Sequence, residues 1–312
     1  MKALLTGASS FTGLWFARAL AEQGVEVVAP LRGALDAYSG IRQKRVCALQ
    51  EVARVVPQIE FGSPEFFSLL DRTDCDLLCH HAARVADYRS ADFDVNLALM
   101  ENTRGLKALS ERLAARSCAA VVLTGSVFES DEGAGTEPRR AFSPYGLSKS
   151  LTASVVRYWC EIAGLPLGKF VIANPFGPLE EPRFCAYLVK MWAAGEAAEV
   201  RTPCYVRDNI HISLLAKAYA AFALEIVTSQ RTGRHAPTFY VESQGAFAER
   251  FAREIGQRVA LPCVVKIGTQ TEFTEPMVRI NTDPVDVSQL GWNEAKAWDQ
   301  IAAYYAEQLP LR

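Results

Sequence analysis

The first half of the chain alternates short apolar runs with stretches of helical periodicity. KALLT (2–6) is a compact apolar run, and FTGLWFARALAEQG behind it repeats apolar positions at helical spacing until Gly24. VEVVA (25–29) predicts the second strand, VVPQIEF (55–61) the third and DLLCHHAA (76–83) the fourth. A long helical pattern runs from about Ala91 to Ala115, and AAVVLTG (119–125) reads as the fifth strand. PYGLSKSLTASVVRYWCEIAG (144–164) predicts a helix opened by a proline and closed by a glycine. LGKFVIANPFGP (167–178) is a sixth strand running into a rigid loop. Strands alternating with helices predict an α/β fold with a doubly wound parallel sheet. After residue 178 the pattern is mixed. It gives a helix over 183–195, β-like pieces at EVRTP and CYVRDNIHI, a helix over 213–228 and a last helix near 294–308.

Composition narrows the function classes. Of 312 residues half are hydrophobic and 22% are charged, the make-up of an ordinary globular chain with a large core. A formal charge of −2 gives no basic footprint for nucleic acid. No apolar run approaches the ~18 residues of a membrane span, so no membrane partner is expected. The first strand already leads into a functional turn, which leaves no room for an export signal. The eight cysteines are scattered without CxxC pairs and are expected to be reduced thiols of a cytoplasmic protein, with no metal site.

The turn after the first strand is GASSFTG (7–13). Gly7 follows the strand directly and Gly13 falls in the first turn of the helix, the context of a loop that cradles a pyrophosphate. A helix N-terminus offers free N–H groups and the positive end of a dipole. Ser10 takes the middle place, where a glycine would let phosphate approach the backbone; its hydroxyl can donate instead. Alone, two glycines fit a plain strand-to-helix turn equally well. The acid expected about twenty residues on, for the ribose of NAD, is absent. Pro30 stands there, and Arg32 two residues later. An arginine at this point pairs with the 2′-phosphate of NADP, so NADP(H) is expected ahead of NAD(H); a solvated surface arginine is the plain alternative.

YGLSK (145–149) places Tyr145 and Lys149 four apart, on one face of a helix. The ammonium favours phenolate and draws the tyrosine pKa down from ~10, which suits a proton exchange with a carbinol oxygen. Just upstream, LTGSVFE offers the hydroxyls of Thr124 and Ser126 for the same oxygen.

With these blocks in order, nearly the whole chain resembles the extended short-chain dehydrogenase/reductase family, in particular its nucleotide-sugar epimerases, dehydratases and ketoreductases. TGASSFTG resembles TGxxGFxG with Ser10 departing from it, and Gly7, Ser9, Ser10, Phe11, Thr12 and Gly13 are its cofactor-binding residues. HHAA is similar to HxAA, which brings His80, Ala82 and Ala83 along the cofactor; both histidines also have a plain reading as the end of a buried strand. DVNLALMENT resembles VNxxGT, with Asn96 in the asparagine position and Leu99 where glycine is usual. Glu60 falls where the family has an acid that reaches the adenine amine. LTGSVFE resembles SSxxVYG and puts Thr124 in the catalytic Ser/Thr position, with Ser126 beside the substrate. SPYGLSK supplies Tyr145 and Lys149, both catalytic and both on the cofactor. NPFGP is similar to the NxxGP loop that touches both nicotinamide and sugar, with Asn174 on the sugar; Arg183 just behind it reads either as a substrate contact or as a solvated side chain. VRDNIHI resembles RDFVHV, whose arginine, here Arg207, binds the nucleotide; VRINTDPVDVSQLGW resembles the closing stretch in which Arg279 reaches the diphosphate.

The resemblance implies a Rossmann-type NAD(P)-binding domain over 1–178, to which later segments return, and a mixed α/β substrate-binding lobe over 179–312 with the ligand cleft between them. It implies a nucleotide-diphosphate sugar as substrate. Gly125 and Ser126 stand where dehydratases carry an acidic pair, which disfavours dehydration and decarboxylation. Net 4-ketoreduction with NADP(H) is expected ahead of 4-epimerisation with retained cofactor. A non-catalytic NADP-binding regulator is an alternative that would have no need of Thr124, Tyr145 and Lys149 together, and a reductase of non-nucleotide ketones is another. A homodimer is expected through the helices at 91–115 and 144–163, with Val156, Trp159 and Cys160 as the apolar stripe.

Overall fold

The computed structural model describes residues 1–135 and 140–307. Its elements run β1 (Lys2–Leu5), α1 (Phe11–Glu22), β2 (Glu26–Pro30), α2 (Gly40–Gln50), β3 (Arg54–Val56), α3 (Pro64–Asp71) and β4 (Leu77–His80). Next come α4 (Val95–Asn102), α5 (Leu106–Ala115), β5 (Ala120–Ser126), β6 (Ala134–Gly135), α6 (Pro144–Ala163), β7 (Leu167–Ile172), β8 (Asn174–Phe176), α7 (Phe184–Ala193) and β9 (Ala198–Val200). The chain continues with β10 (Val206–His211), α8 (Ile212–Ser229), β11 (Gly233–His235), β12 (Pro237–Thr238), β13 (Tyr240–Ser243) and α9 (Gln244–Val259). The last elements are β14 (Val265–Ile267), β15 (Val278–Ile280), β16 (Asp283–Pro284) and α10 (Glu294–Ala306).

Two compact units divide these elements. The first holds the chain up to Glu132, the stretch that carries α6 and ends at Ile172, and Ala216–Ala236. Its seven strands are parallel in the order β11-β7-β5-β4-β1-β2-β3. The order reverses between β1 and β4, the switch point of a doubly wound sheet. Because helices cover both faces, the central strands are apolar throughout rather than alternating. Leu4, Leu5, Leu77, Leu78, Val121 and Val122 are all buried. β11 is a seventh strand that the sequence pattern does not reveal, and it is the edge to which the chain returns late.

Local chemistry sets the element boundaries. The third strand ends at Val56 instead of residue 61, because Pro57 lacks a ladder N–H and Gln58 takes a left-handed turn at φ 60°. The single helix expected over 91–115 is two, α4 and α5, broken where Gly105 adopts φ 66°. The sixth strand likewise divides: β7 belongs to the parallel sheet of the first unit, while β8 pairs with β10 in the second. α8 is long and apolar enough to cross a membrane. Lys217 and Glu225 interrupt it, and Leu214, Leu215, Tyr219, Phe222 and Ile226 are buried, as in a core helix.

The second unit holds β6, Ala173–Leu215 and the chain from Pro237 on. Its mixed sheet runs β13-β10-β15-β6, with β8 against β10. Its core gathers Trp192, Phe247, Phe251, Trp298 and Tyr305 from α7, α9 and α10.

Candidate active site

The turn between β1 and α1 is built for close approach. Gly7 has φ 73°, and a Cβ on it would lie 2.8 Å from the Ala82 nitrogen; a Cβ on Gly13 would meet the Gly7 carbonyl oxygen at 2.4 Å. Ser10 caps α1, its Oγ accepting the Gly13 N–H at 3.1 Å. Ser10 thus lends its hydroxyl to the helix end, which keeps the cradle in shape with one glycine missing. Ser9 is buried and accepts from the Arg42 guanidinium at 3.1 Å, while Phe11 is packed into the core. Ala82 and Ala83 follow β4 on the other side of the turn, half-buried. A narrow cradle that any Cβ would fill, at a helix N-terminus, fits a dinucleotide pyrophosphate.

Past β2, Leu31 is buried and Arg32 exposed. Arg42 is the cation that reaches the loop, lying also over the Tyr38 ring at 5.5 Å. The sequence pattern gave no sign of it, since α2 contributes it from ten residues further on. Glu60 is half exposed and ion-paired to Arg104 at 3.0 Å.

The two histidines after β4 differ. His80 is 2% exposed; its Nδ1 bonds Thr6 Oγ1 at 3.2 Å, its Nε2 bonds the Asn102 carbonyl at 3.0 Å, and Phe61 stacks on it. Both ring nitrogens are engaged, so His80 offers a cofactor no free atom and serves the framework. Burial pushes its pKa down to about 4. His81 instead lies between the turn and β5, with Nε2 3.0 Å from both Ser10 Oγ and Thr12 Oγ1 and Nδ1 3.0 Å from Thr124 Oγ1. Burial, with the Lys149 charge adding to it, pushes His81 down to about 3.

The structure corrects the asparagine. Asn96 lies exposed in the first turn of α4. Asn102 is the buried one, accepting the Arg84 N–H at 2.9 Å and donating to Thr152 Oγ1 at 3.2 Å. The signal was present: Asn102 and Gly105 preserve the Asn-x-x-Gly spacing that Asn96 and Leu99 break.

Thr124, buried near the end of β5, and Lys149, buried on α6, are brought together: Lys149 Nζ donates to the Thr124 carbonyl at 2.6 Å. α6 lies close because Gly146 has no side chain; a Cβ there would meet the Phe128 carbonyl oxygen at 2.1 Å. Ser143 caps the helix, its Oγ accepting the Gly146 N–H at 3.2 Å, and Gly164 closes it in a left-handed turn. Tyr145, half-buried, is held edge-on by Tyr88 and Phe93 at 5.6 and 5.8 Å. Burial lowers the Lys149 pKa, Glu129 works against that shift and Lys169 adds to it.

Carboxylates do enter this region, though not at 125 and 126. Glu129 Oε1 accepts the Ser126 N–H at 2.7 Å, and its Oε2 lies 2.5 Å from Lys169 Nζ. Glu132 binds Lys169 at 2.7 Å and Arg234 at 2.6 Å. Both acids are buried and paired, so neither stands ready as a free acid or base. Ser126 Oγ accepts the Phe128 N–H at 3.3 Å.

In the second unit Arg207 and Arg279 are register partners on β10 and β15. Arg207 donates to the carbonyls of Val206, Pro276 and Met277, pairs with Glu275 at 2.8 Å and lies over Tyr205. Arg279 is buried. Asn174 is half-buried on β8, and Arg183 is exposed at the start of α7. Asp208, buried between these strands, accepts the N–H groups of Phe239 and Asn281 and ties the sheet together.

A doubly wound sheet with a glycine turn at its switch point, and a Tyr-x-x-x-Lys helix laid against a buried threonine, defines an extended short-chain dehydrogenase/reductase. The profile of the NAD dependent epimerase/dehydratase family matches residues 3–235, and the chain belongs to that family of enzymes. No curated protein matches the sequence. Among solved structures, the chain is similar to UDP-glucuronic acid 4-epimerase from Bacillus cereus in complex with UDP-glucuronic acid and NAD. Identity is 16%, 99% of this chain and 100% of that one are covered, and the TM-score is 0.74. It is similar to UDP-glucose 4-epimerase from Stenotrophomonas maltophila with bound NAD and formylated UDP-arabinopyranose, at 17% identity, 98% and 97% coverage and a TM-score of 0.74. A third is UDP-N-acetylglucosamine 4-epimerase from Methanobrevibacter ruminantium in complex with UDP-N-acetylmuramic acid, at 15% identity, 98% coverage of both chains and a TM-score of 0.71.

Proposed function

We propose that this enzyme works at C4 of a nucleotide-diphosphate sugar, with Tyr145 exchanging a proton with the C4 oxygen. The observation that carries the reading is the bond from Lys149 to the Thr124 carbonyl, which sets a buried cation, a hydroxyl and the tyrosine helix side by side. The turn at Gly7–Gly13 would hold the pyrophosphate of a nicotinamide dinucleotide, with Lys149 on its ribose. That cofactor supplies the two-electron exchange with the sugar carbon. Tyr145 gives or takes the proton, Lys149 favours its phenolate, and Thr124 hydrogen-bonds the same sugar oxygen. Asn174, Arg183, Arg207 and Arg279 are the residues of the second unit assigned to sugar, nucleotide and diphosphate. Pairing of Glu129 and Glu132 with Lys169 and Arg234 supports a reaction without dehydration.

Within that chemistry the reading is net reduction of a 4-keto sugar with NADP(H). It is favoured by exposed Arg32 beyond β2 and by Pro30 in place of the acid that would repel a 2′-phosphate. The 4-epimerase reading is favoured by the three solved relatives described above, each a 4-epimerase. Incubating the enzyme with UDP-glucose or UDP-glucuronic acid, and with a UDP-4-keto sugar plus NADPH, separates them. NADPH consumption supports reduction; interconversion of 4-epimers without it supports epimerisation; neither overturns the assignment. Calorimetric titration is expected to show NADP(H) binding several-fold tighter than NAD(H), since a lost phosphate pair costs about 1.5–3 kcal/mol.

A homodimer belongs to the same reading, but through a different stripe. Val156 and Cys160 face the core of the first unit, and Trp159 packs against it. The exposed apolar residues of α6 are Leu147, Leu151, Tyr158 and Ile162, which share one face of the helix, with Met100 exposed on α4. Sedimentation is expected to give a dimer that Ile162→Lys dissociates; a monomeric wild type at micromolar concentration overturns it.

A further inference from the structure

His81 occupies the open middle position of the HxAA pattern, and its ring spans the gap between the phosphate turn and the strand that carries Thr124. Phe16 packs edge-on against it at 5.2 Å, and the His81 backbone N–H donates to Thr6 Oγ1, so ring and main chain are both fixed. The hydroxyl protons around the ring favour one of its two tautomers. Ser10 Oγ already accepts the Gly13 N–H, which leaves its hydroxyl proton for His81 Nε2. Thr12 presents a second hydroxyl to the same nitrogen. In the tautomer in which Nε2 accepts from these hydroxyls, the ring proton of a neutral imidazole is on Nδ1 and is donated to Thr124 Oγ1. Thr124 then accepts from His81, and its own proton goes to another acceptor, either the Tyr219 hydroxyl that also reaches it or a substrate oxygen.

We propose that His81, locked as the Nδ1–H tautomer by Ser10 and Thr12, is a positioning residue that turns the Thr124 hydroxyl proton toward the C4 oxygen of the sugar. The inference rests on the role given to Thr124 above. It also accounts for the serine that replaces the family's middle glycine: the residue that departs from the phosphate-loop pattern sets the tautomer on the catalytic side. The opposite tautomer would draw the Thr124 proton into Nδ1 and leave the substrate oxygen facing a lone pair. The neutral ring is kept so across the working pH range, because burial holds its pKa far below neutrality.

Two measurements test this separately. Long-range nitrogen–proton NMR of the four histidines, with the His81 ring assigned by its loss in His81→Leu, reads the tautomer without any turnover. Nδ1–H is expected, and an Nε2–H ring overturns the proposal. Ser10→Gly with Thr12→Val, which removes both partners of Nε2, is expected to populate the other tautomer while the protein still melts cooperatively. A ring that stays Nδ1–H in that variant overturns the lock.

The second is a kinetic cycle on a UDP-sugar that the wild type turns over. His81→Leu is expected to lower kcat about tenfold with KM nearly unchanged, the worth of one aligned hydrogen bond. In a Thr124→Ala background the same change should cost less than about twofold, because the effect passes through that hydroxyl. His81→Asn, whose amide N–H falls near the Nδ1 position, should recover most of the activity and His81→Gln little. An equal loss with and without Thr124, or equal rescue by both amides, overturns the positioning role. If Thr124→Ala itself keeps wild-type kcat, the reading of Thr124 fails instead, while the NMR result still judges the lock.

Discussion

Lys149 and Arg207 are both cations assigned to ligand work, yet the two units hold them in opposite ways. Lys149 is 5% exposed and spends its ammonium on a backbone carbonyl, with Glu129 and Lys169 setting the field around it. Its geometry is committed before any ligand arrives, which suits the role proposed for it beside the Tyr145 phenol. Arg207 has a guanidinium spread over three carbonyls and a half-exposed carboxylate, Glu275. An incoming diphosphate would compete with Glu275 for the charge, so Arg207 is exchangeable where Lys149 is fixed. On the proposed roles, preorganisation is concentrated where protons would move, and exchange is left where a whole substrate would enter and leave.

The largest test of that contrast is Tyr145→Phe. It is expected to lower kcat by ~10²–10⁴, the range for a removed general acid, with cofactor affinity nearly unchanged by calorimetry. Lys169→Met comes next: it removes the cation that buried Glu129 and Glu132 share, and should cost about 3–5 kcal/mol in denaturant melts. A loss under 1 kcal/mol would mean that the acids of the first unit are as exchangeable as Glu275. Arg207→Ala should raise KM for the nucleotide sugar about tenfold or more while kcat holds, since it removes binding common to ground and transition states.

Two pH effects sharpen the comparison. Lys149 titrates below an ordinary lysine, so the alkaline limb of kcat/KM should lie below that expected for a free lysine, and Glu129→Gln should move it lower still by removing the opposing carboxylate. Stability should fall on the acid side. His80, with a folded pKa of about 4, and His81 and His211, at about 3, are neutral in the native state. Their contribution is intact above the unfolded value of ~6.5 and is lost as pH falls toward those folded values, because the unfolded chain then binds more protons, at about 1.4 kcal/mol per unit for each group. Glu275→Ala is the smallest change expected: within about 1 kcal/mol of wild type in stability, with KM unchanged or lower as Arg207 is released.

The sequence by itself determined what depends on spacing along the chain. The glycine turn, the four-residue interval of Tyr145 and Lys149, the capped ends of α6 and the alternation that makes a parallel sheet are local properties of helix and strand geometry. Thr124 was legible too, through its place at the end of an apolar run. The boundaries were less so, because Gln58 and Gly105 break their elements through backbone conformations that side-chain periodicity does not record. Tertiary structure decided what depends on which strands lie side by side. The switch between β1 and β4 puts Ser10 and Thr12 against His81, and the pairing of β4 with β5 puts His81 against Thr124. Asn102 rather than Asn96 is buried because α4 turns one side inward, and Lys169 meets Glu129 and Glu132 because β7 runs beside β5. Each of these contacts joins residues tens of positions apart. Its energy comes from burial and hydrogen bonding that exist only once the sheet has formed, and no pattern within one segment can specify it.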